Sequence, residues 1–148
     1  MNQIIITPLK NAKLLATAKL LPQQGILRLS HEKLLYLDID DRFINELHPL
    51  IGETEVEKPD YFSIGMGAHI SIIYPNEGKE IAFIENQAFK FQVENFFKAQ
   101  TPHAIYFAIS VFSSDLINIR RTHCLEDKLN FKGFGVPMHI TIGKVKLT

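Results

Sequence analysis

Two stretches decide the reading of this chain: GAHISIIYP at residues 67–75 and VPMHITIGKV at 136–145. Inside them, Ala68-His69-Ile70-Ser71-Ile72 and Met138-His139-Ile140-Thr141-Ile142 repeat one pattern of apolar, His, apolar, hydroxyl, apolar. β-Branched residues at alternating positions predict strands, and a strand turns successive side chains to opposite faces. His69 and Ser71 therefore share one face while Ala68, Ile70 and Ile72 take the other. His139 and Thr141 are likewise set against Met138, Ile140 and Ile142. The apolar faces belong in a core, so each imidazole stands beside a hydroxyl on the non-core face. Gly67 and Gly143 lie next to the motifs and leave room for a ligand.

Working outward, LLYLDID (34–40) reads as a buried strand, and Asp40 or Asp41 can cap a helix after it. Phe43, Ile44, Leu47, Leu50 and Ile51 keep helical spacing up to Gly52. Phe89, Phe91 and Val93 alternate as a strand, and Ala104 to Phe112 is apolar on both faces, as in a central strand. Ser113, Ser114 and Asp115 open a helix whose spacing predicts an end near Asn130. The order strand, helix, strand, strand, strand, helix, strand favours an α+β fold. Helices should pack outside a largely antiparallel sheet, with a strand–helix–strand unit at each end of the main body. Residues 1–33 show no comparable pattern, though Lys13–Leu21 suits a short helix or strand. They read as an N-terminal extension of unclear role on a single domain, 1–148, whose motif-bearing core is 34–148.

Composition narrows the function classes. The 148 residues carry 16 Lys+Arg against 16 Asp+Glu and are 46% hydrophobic, which is ordinary globular composition. Zero net charge disfavours a long basic track, so no long duplex DNA is expected as partner. Cys124 stands alone and fits a reducing compartment. The start MNQIIITPLK lacks a secretory pattern, and no apolar run approaches the roughly 20 residues of a membrane helix. The expectation is a cytoplasmic monomer with no membrane partner.

Imidazole titrates near neutrality, so a pair of histidines can remove one proton and deliver another. A metal site would need a third ligand with sensible spacing, and none is evident; no metal and no cofactor are expected. Paired H-x-[ST] strands in a pseudo-symmetric α+β domain resemble the two-histidine phosphoesterase superfamily, which includes 2′-5′ RNA ligase-like proteins and cyclic nucleotide phosphodiesterases. The resemblance covers about residues 34–148. It implies two lobes around a central cleft, His69 and His139 as the catalytic pair, and Ser71 and Thr141 as phosphate-binding hydroxyls. It also implies a metal-independent hydrolase acting on a 2′,3′-cyclic phosphate or a 2′-5′ phosphodiester in RNA ends or small nucleotides. The alternative is a nucleotide- or RNA-binding module that uses the same cleft without turnover.

Four further residues are candidates for substrate contact. Phe131, Lys132 and Phe134 place aromatics beside a cation in a glycine-containing loop, able to stack a base or equally to cover the core. Tyr74 ends the first motif strand, and strict alternation sets it with Ile70 and Ile72, which favours the core over stacking. The same alternation sets Lys144 with Ile142, as a solvated charge. Arg120 and Arg121 read as surface residues of a helix.

Overall fold

The computed structural model describes residues 3–59, 66–78 and 80–147. β1 (Ile5–Leu9) leads into α1 (Ala12–Leu20), β2 (Gln24–Leu29) and β3 (Leu35–Ile39). Next come α2 (Arg42–Asn45), a 3-10 turn (His48–Leu50) and β4 (His69–Ile73). β5 (Ala88–Lys90), β6 (Gln92–Gln100) and β7 (Ala104–Phe112) precede α3 (Ser114–Thr122). β8 (Leu129–Phe131), β9 (Phe134–Val136) and β10 (His139–Lys146) complete the described elements. The expected α+β class with helices outside an antiparallel sheet is what the chain forms.

Eight strands make one open sheet in the order β1-β6-β7-β10-β4-β3-β2-β5. It divides at its middle into two similar halves. One runs outward from β4 through β3 and β2, the other from β10 through β7 and β6. β3–α2–β4 and β7–α3–β10 are equivalent units. Among the described residues, the halves meet between the two motif strands where Ile140 lies opposite Ile70.

Alternation puts Leu35, Leu37, Ile70, Ile72, Ile109, Ile140 and Ile142 on one face, all fully buried. Leu14 and Ala18 of α1, Phe43 and Ile44 of α2 and Leu116 of α3 belong to the same buried cluster. Each longer helix begins on a side-chain cap. The Asn11 carboxamide oxygen accepts from the Leu14 N–H (3.0 Å), and Ser113 Oγ accepts from the Leu116 N–H (3.3 Å).

The structure departs from the sequence reading where a local device interrupts a pattern. The helix expected over residues 43–51 splits in two, because Pro49 has no N–H to donate and disfavours helix before it. The helix expected to reach Asn130 stops at Thr122. Cys124 takes φ +61, and its N–H and that of Leu125 bond back to the Arg121 and Arg120 carbonyls. This is a Schellman ending without the usual glycine, and it frees Leu129 for β8. The strand expected over 89–93 is two: β5 pairs with β2, while β6 continues to Gln100 past a bulge between Val93 and Phe96.

Residues 5–29, for which the sequence suggested no role, are built into both halves. β1 pairs with β6 at one end of the sheet, while β2 pairs with β3 in the other half. α1 lies between them and packs against β6. Among the described residues, no helix is long and apolar enough to cross a membrane.

Since Leu14 of α1 is fully buried in the core, Leu14→Ala should cost about 2–5 kcal/mol, the range for a buried leucine that leaves a cavity. Urea denaturation followed by circular dichroism measures this. A loss below about 0.5 kcal/mol would show that the segment is not part of the cooperative core.

Candidate active site

The pairing of Ile70 with Ile140 fixes the site. In an antiparallel pair this register sets Thr141 across from His69 and Ser71 across from His139. All four side chains lie on the face opposite the buried isoleucines. The two histidines are diagonal neighbours, about 7–8 Å apart by ordinary sheet geometry with their Cβ atoms somewhat closer. The four residues singled out by the motif are thus brought together around one local two-fold axis.

Each imidazole is held in the same way. His69 Nδ1 lies 3.1 Å from the Gly67 carbonyl and His139 Nδ1 lies 2.7 Å from the Pro137 carbonyl. A carbonyl only accepts, so both Nδ1 atoms carry the proton and donate it. Nε2 is then the unprotonated nitrogen of each neutral ring. Each ring also meets an aromatic edge: Tyr36 stands 5.5 Å from His69 and Phe97 stands 6.0 Å from His139, both T-shaped. Phe97 reaches from β6 because the residue between it and Thr141 is the small Ala108.

Both histidines are held below the ordinary imidazole pKa. For His69 the main cause is burial, and repulsion from His139 adds to it. The bond to Gly67 and the carboxylate of Asp38, which pairs with His69 across the sheet, pull the other way. For His139 burial outweighs the bond to Pro137.

The entry to the first motif depends on Gly67. Its φ is +76, and a Cβ there would sit 2.5 Å from Asp41 Oδ1. That oxygen accepts from the Ala68 N–H at 3.0 Å and anchors the strand. Asp40 accepts from the Arg42 N–H at 2.9 Å, while Asp41, the N-cap residue of α2, makes no side-chain cap bond to the helix.

Strict alternation misplaces two residues, for one reason. β4 has a bulge between Ser71 and Ile73, and β10 has one between Thr141 and Gly143. An extra residue in a strand inverts the parity beyond it. Ile72 and Ile73 are therefore both fully buried, and Tyr74 turns back to the site face. Gly143 faces Val56 and Ile51 on the core side, and Lys144 turns back to sit beside Tyr106, with Nζ 5.6 Å from the ring centroid. The two bulges are equivalent under the two-fold.

A cavity of about 150 Å³ opens on this face. His139, Thr141, Tyr74, Phe97, Tyr106 and Phe131 are among the residues lining it. Phe131 and Tyr74 meet edge to face at 6.2 Å. Lys132 and Phe134 line an adjoining depression that shares Tyr106 and Phe131, and Lys132 Nζ lies 5.5 Å from the Phe131 ring. Of the four candidate contact residues, Tyr74 and Phe131 line the cavity, and Lys132 and Phe134 line the depression beside it. Tyr106 does too, although nothing in its central-strand setting marked it.

Arg120 is not the surface residue its helix position suggested; it is 1% exposed. All five of its N–H groups are used. They reach the carbonyls of Glu126 (2.6 Å), Lys128 (2.6 Å) and Ile72 (2.8 Å), and both carboxylate oxygens of Glu77 (2.8 and 3.0 Å). Glu77 also accepts from the N–H groups of Tyr74 (2.9 Å) and Asn130 (2.8 Å). One buried ion pair thus holds the bulge carbonyl of β4 and the backbone beside both Tyr74 and Phe131. Arg121, by contrast, is exposed and pairs with Asp127 at 2.7 Å.

A family model described as Swiss Army Knife, 2H phosphoesterase domain, matches residues 35–146. The chain belongs to the 2H phosphoesterase family. As a 2H phosphoesterase it is a protein of the phosphoesterase or ligase-like kind. A search of curated proteins found no match, and a search of solved structures found none. The matched span begins at β3 and takes in both motif strands, while β1, α1 and β2 precede it. Among the described residues, no group of three or more His, Cys, Asp or Glu side chains gathers to hold a metal ion.

The ion pair behind the aromatic wall sets a stability test. Burial raises the Glu77 pKa, but the bonds from Arg120, Tyr74 and Asn130 more than offset it, leaving it below its ordinary 4.5. A carboxylate lowered on folding stabilises the fold above its unfolded pKa, and that contribution disappears as pH falls through the folded value. Glu77→Gln strands the Arg120 charge and should cost about 3–5 kcal/mol at pH 7, with the penalty shrinking below pH 4.5. Denaturant titrations at pH 7 and pH 3.5 measure both; a penalty that is equal at the two pH values would contradict the assignment.

Proposed function

We propose that this 2H phosphoesterase is a phosphodiesterase that opens a 2′,3′-cyclic phosphate, or cleaves a 2′-5′ linkage, in RNA ends or small nucleotides. Catalysis would be by His69 and His139, without a metal. The observation that carries the reading is the pairing of the two H-x-[ST] motifs around one axis, each imidazole fixed through Nδ1 with Nε2 as its working nitrogen.

The chemistry follows from that arrangement. In-line displacement puts the attacking and leaving oxygens on opposite sides of phosphorus. Two imidazoles flanking one phosphorus can serve both, one neutral as base and one protonated as acid. Ser71 and Thr141 stand between them across the pair and can donate to the non-bridging oxygens as charge shifts there. A cavity lined by Tyr74, Phe97, Tyr106 and Phe131 suits a planar ring, and aromatic faces accept any base. Lys132 sits at its edge as a counter-charge for a further phosphate. A nucleotide or an RNA end matches these dimensions and the absence of net charge.

The test is turnover of nucleoside 2′,3′-cyclic phosphates in the presence of EDTA. His69→Ala and His139→Ala should each lower kcat/KM by about 100- to 10,000-fold, the range for a lost general acid or base. Near-normal turnover in both single variants would refute the reading, and tight nucleotide binding without turnover by the wild type would select a binding module instead. Ser71→Ala or Thr141→Val should cost about 1–3 kcal/mol of transition-state stabilisation, as for a lost hydrogen bond to a charged group.

The pH profile provides an independent check. Free-enzyme pKa values shape kcat/KM against pH, and both imidazoles are lowered from 6.5. The bell should therefore centre on the acid side of pH 6.5, with apparent values that belong to the pair. An optimum above pH 7.5 would contradict the burial of the two rings.

A further inference from the structure

The cavity beside His139 is one of two in series. His139 and Thr141 line only the first. Lys132, Phe134, Pro102 and His103 line only the second, the adjoining depression of about 110 Å³. Ile4, Thr101, Tyr106 and Phe131 line both and form the boundary between them. The second space has a fixed frame. Phe131 and Phe134 are cross-strand partners in the β8–β9 hairpin, whose two-residue loop, Lys132-Gly133, has positive φ at both positions (+52 and +91). The Asn130 carboxamide oxygen accepts from the Gly133 N–H at 2.8 Å and holds that loop. In the turn between β6 and β7, Thr101 Oγ1 accepts from the N–H groups of His103 (3.2 Å) and Ala104 (3.0 Å).

The loop's lysine is informative. Asparagine, aspartate or glycine is the usual first residue of such a loop, because a longer side chain is strained at positive φ. Lys132 occupies that position and is exposed, with Nζ 5.5 Å from the Phe131 ring centroid. The hairpin thus accepts strain where it gains a cation beside two rings. None of the residues lining the depression is acidic. Rings beside a cation suit a base next to a phosphate. We propose that the depression is a second nucleotide subsite, which holds the nucleotide preceding the reacting one in an RNA chain. This rests on the phosphodiesterase reading above and narrows its substrate to an RNA 3′ end of two or more nucleotides. The two spaces match the covalent order of such an end. The cyclic phosphate lies at His139 and Thr141, the terminal nucleoside in the cavity, the linking phosphate at Lys132 and the next base against Phe131 and Phe134.

The test compares adenosine 2′,3′-cyclic phosphate with the dinucleotide ApA carrying the same terminal cyclic phosphate. The dinucleotide should be favoured in kcat/KM by about 10- to 100-fold, as one more stacked base allows. Phe134→Ala and Lys132→Asn should each reduce that preference at least about fivefold. Asparagine suits the left-handed position, so Lys132→Asn should keep or raise the melting temperature while the preference falls, which a merely structural role would not produce. Raising salt from about 50 to about 200 mM should narrow the preference more in the wild type than in Lys132→Asn, which has one phosphate contact fewer. Phe134→Leu keeps apolar bulk without the ring and should lose the preference with its fold intact.

Adenosine 2′,3′-cyclic phosphate with an added 5′-phosphate is the control for phosphate alone. If it matches the dinucleotide, the depression holds no second nucleoside and the assignment is overturned. Equal kcat/KM for the mononucleotide and the dinucleotide, or a preference that Lys132→Asn, Phe134→Ala and Phe134→Leu all leave untouched, would also overturn it while leaving the phosphodiesterase reading intact. Failure of the wild type to turn over any of the three substrates would overturn both.

Discussion

The structure depends on the antiparallel meeting of β4 and β10. Two half-sheets, each able to alternate apolar and polar faces but neither wide enough to close a core alone, are joined there by the Ile70–Ile140 pair. Both isoleucines are fully buried. Because an antiparallel pair has a local two-fold axis, whatever lies one residue to either side of that pair is reproduced diagonally on the partner strand. The histidines and hydroxyls are those residues. A slip of one position in either strand would send its imidazole into the core and its isoleucine onto the opposite face, so the burial that stabilises the fold is also what sets the site's register.

A seam this short needs support from outside. β1 and α1 supply some of it, carrying the start of the chain onto the second half before β2 enters the first. Arg120 supplies more. It extends from α3, in the second half, to the Ile72 carbonyl and Glu77 in the first. A buried guanidinium would be costly if any donor were left over, and here all five have acceptors. The equivalent bulge in β10 is held differently, by a two-way backbone bridge between Lys144 and Glu57. The same distortion is thus imposed twice by unrelated means, which points to the bulge itself as the feature that both motif strands require.

The sequence made the motif pair, the strand–helix–strand units and the sheet's antiparallel character legible, because each rests on periodicity over several residues. What it hid were single-residue events. Strict alternation misplaced Tyr74 and Lys144 because a bulge carries no distinctive residue of its own: Ile72-Ile73 reads as an uninterrupted apolar run. Asn95 masked the continuation of β6 for the same reason. α3 ended at Cys124, where a non-glycine residue takes positive φ and nothing local announces it. Arg120 read as surface because helical periodicity places a side chain on a face but says nothing of a carboxylate 43 residues upstream in the chain. β1 and α1 had no visible role because their partners lie at the far side of the sheet.

Symmetry and its breaking have separate sources in this chain. The pair of H-x-[ST] strands supplies two imidazoles at equivalent positions of the local two-fold. The difference between them comes from the surroundings. The β8–β9 hairpin has no counterpart between β3 and β4 among the described residues, and its Phe131 and Val136 wall the cavity on the His139 side. Ile4, just before β1, lines it as well. The elements outside the repeated unit are therefore the ones that distinguish one histidine from the other. Two segments outside the repeated unit bring apolar surface to the His139 side of the symmetric pair.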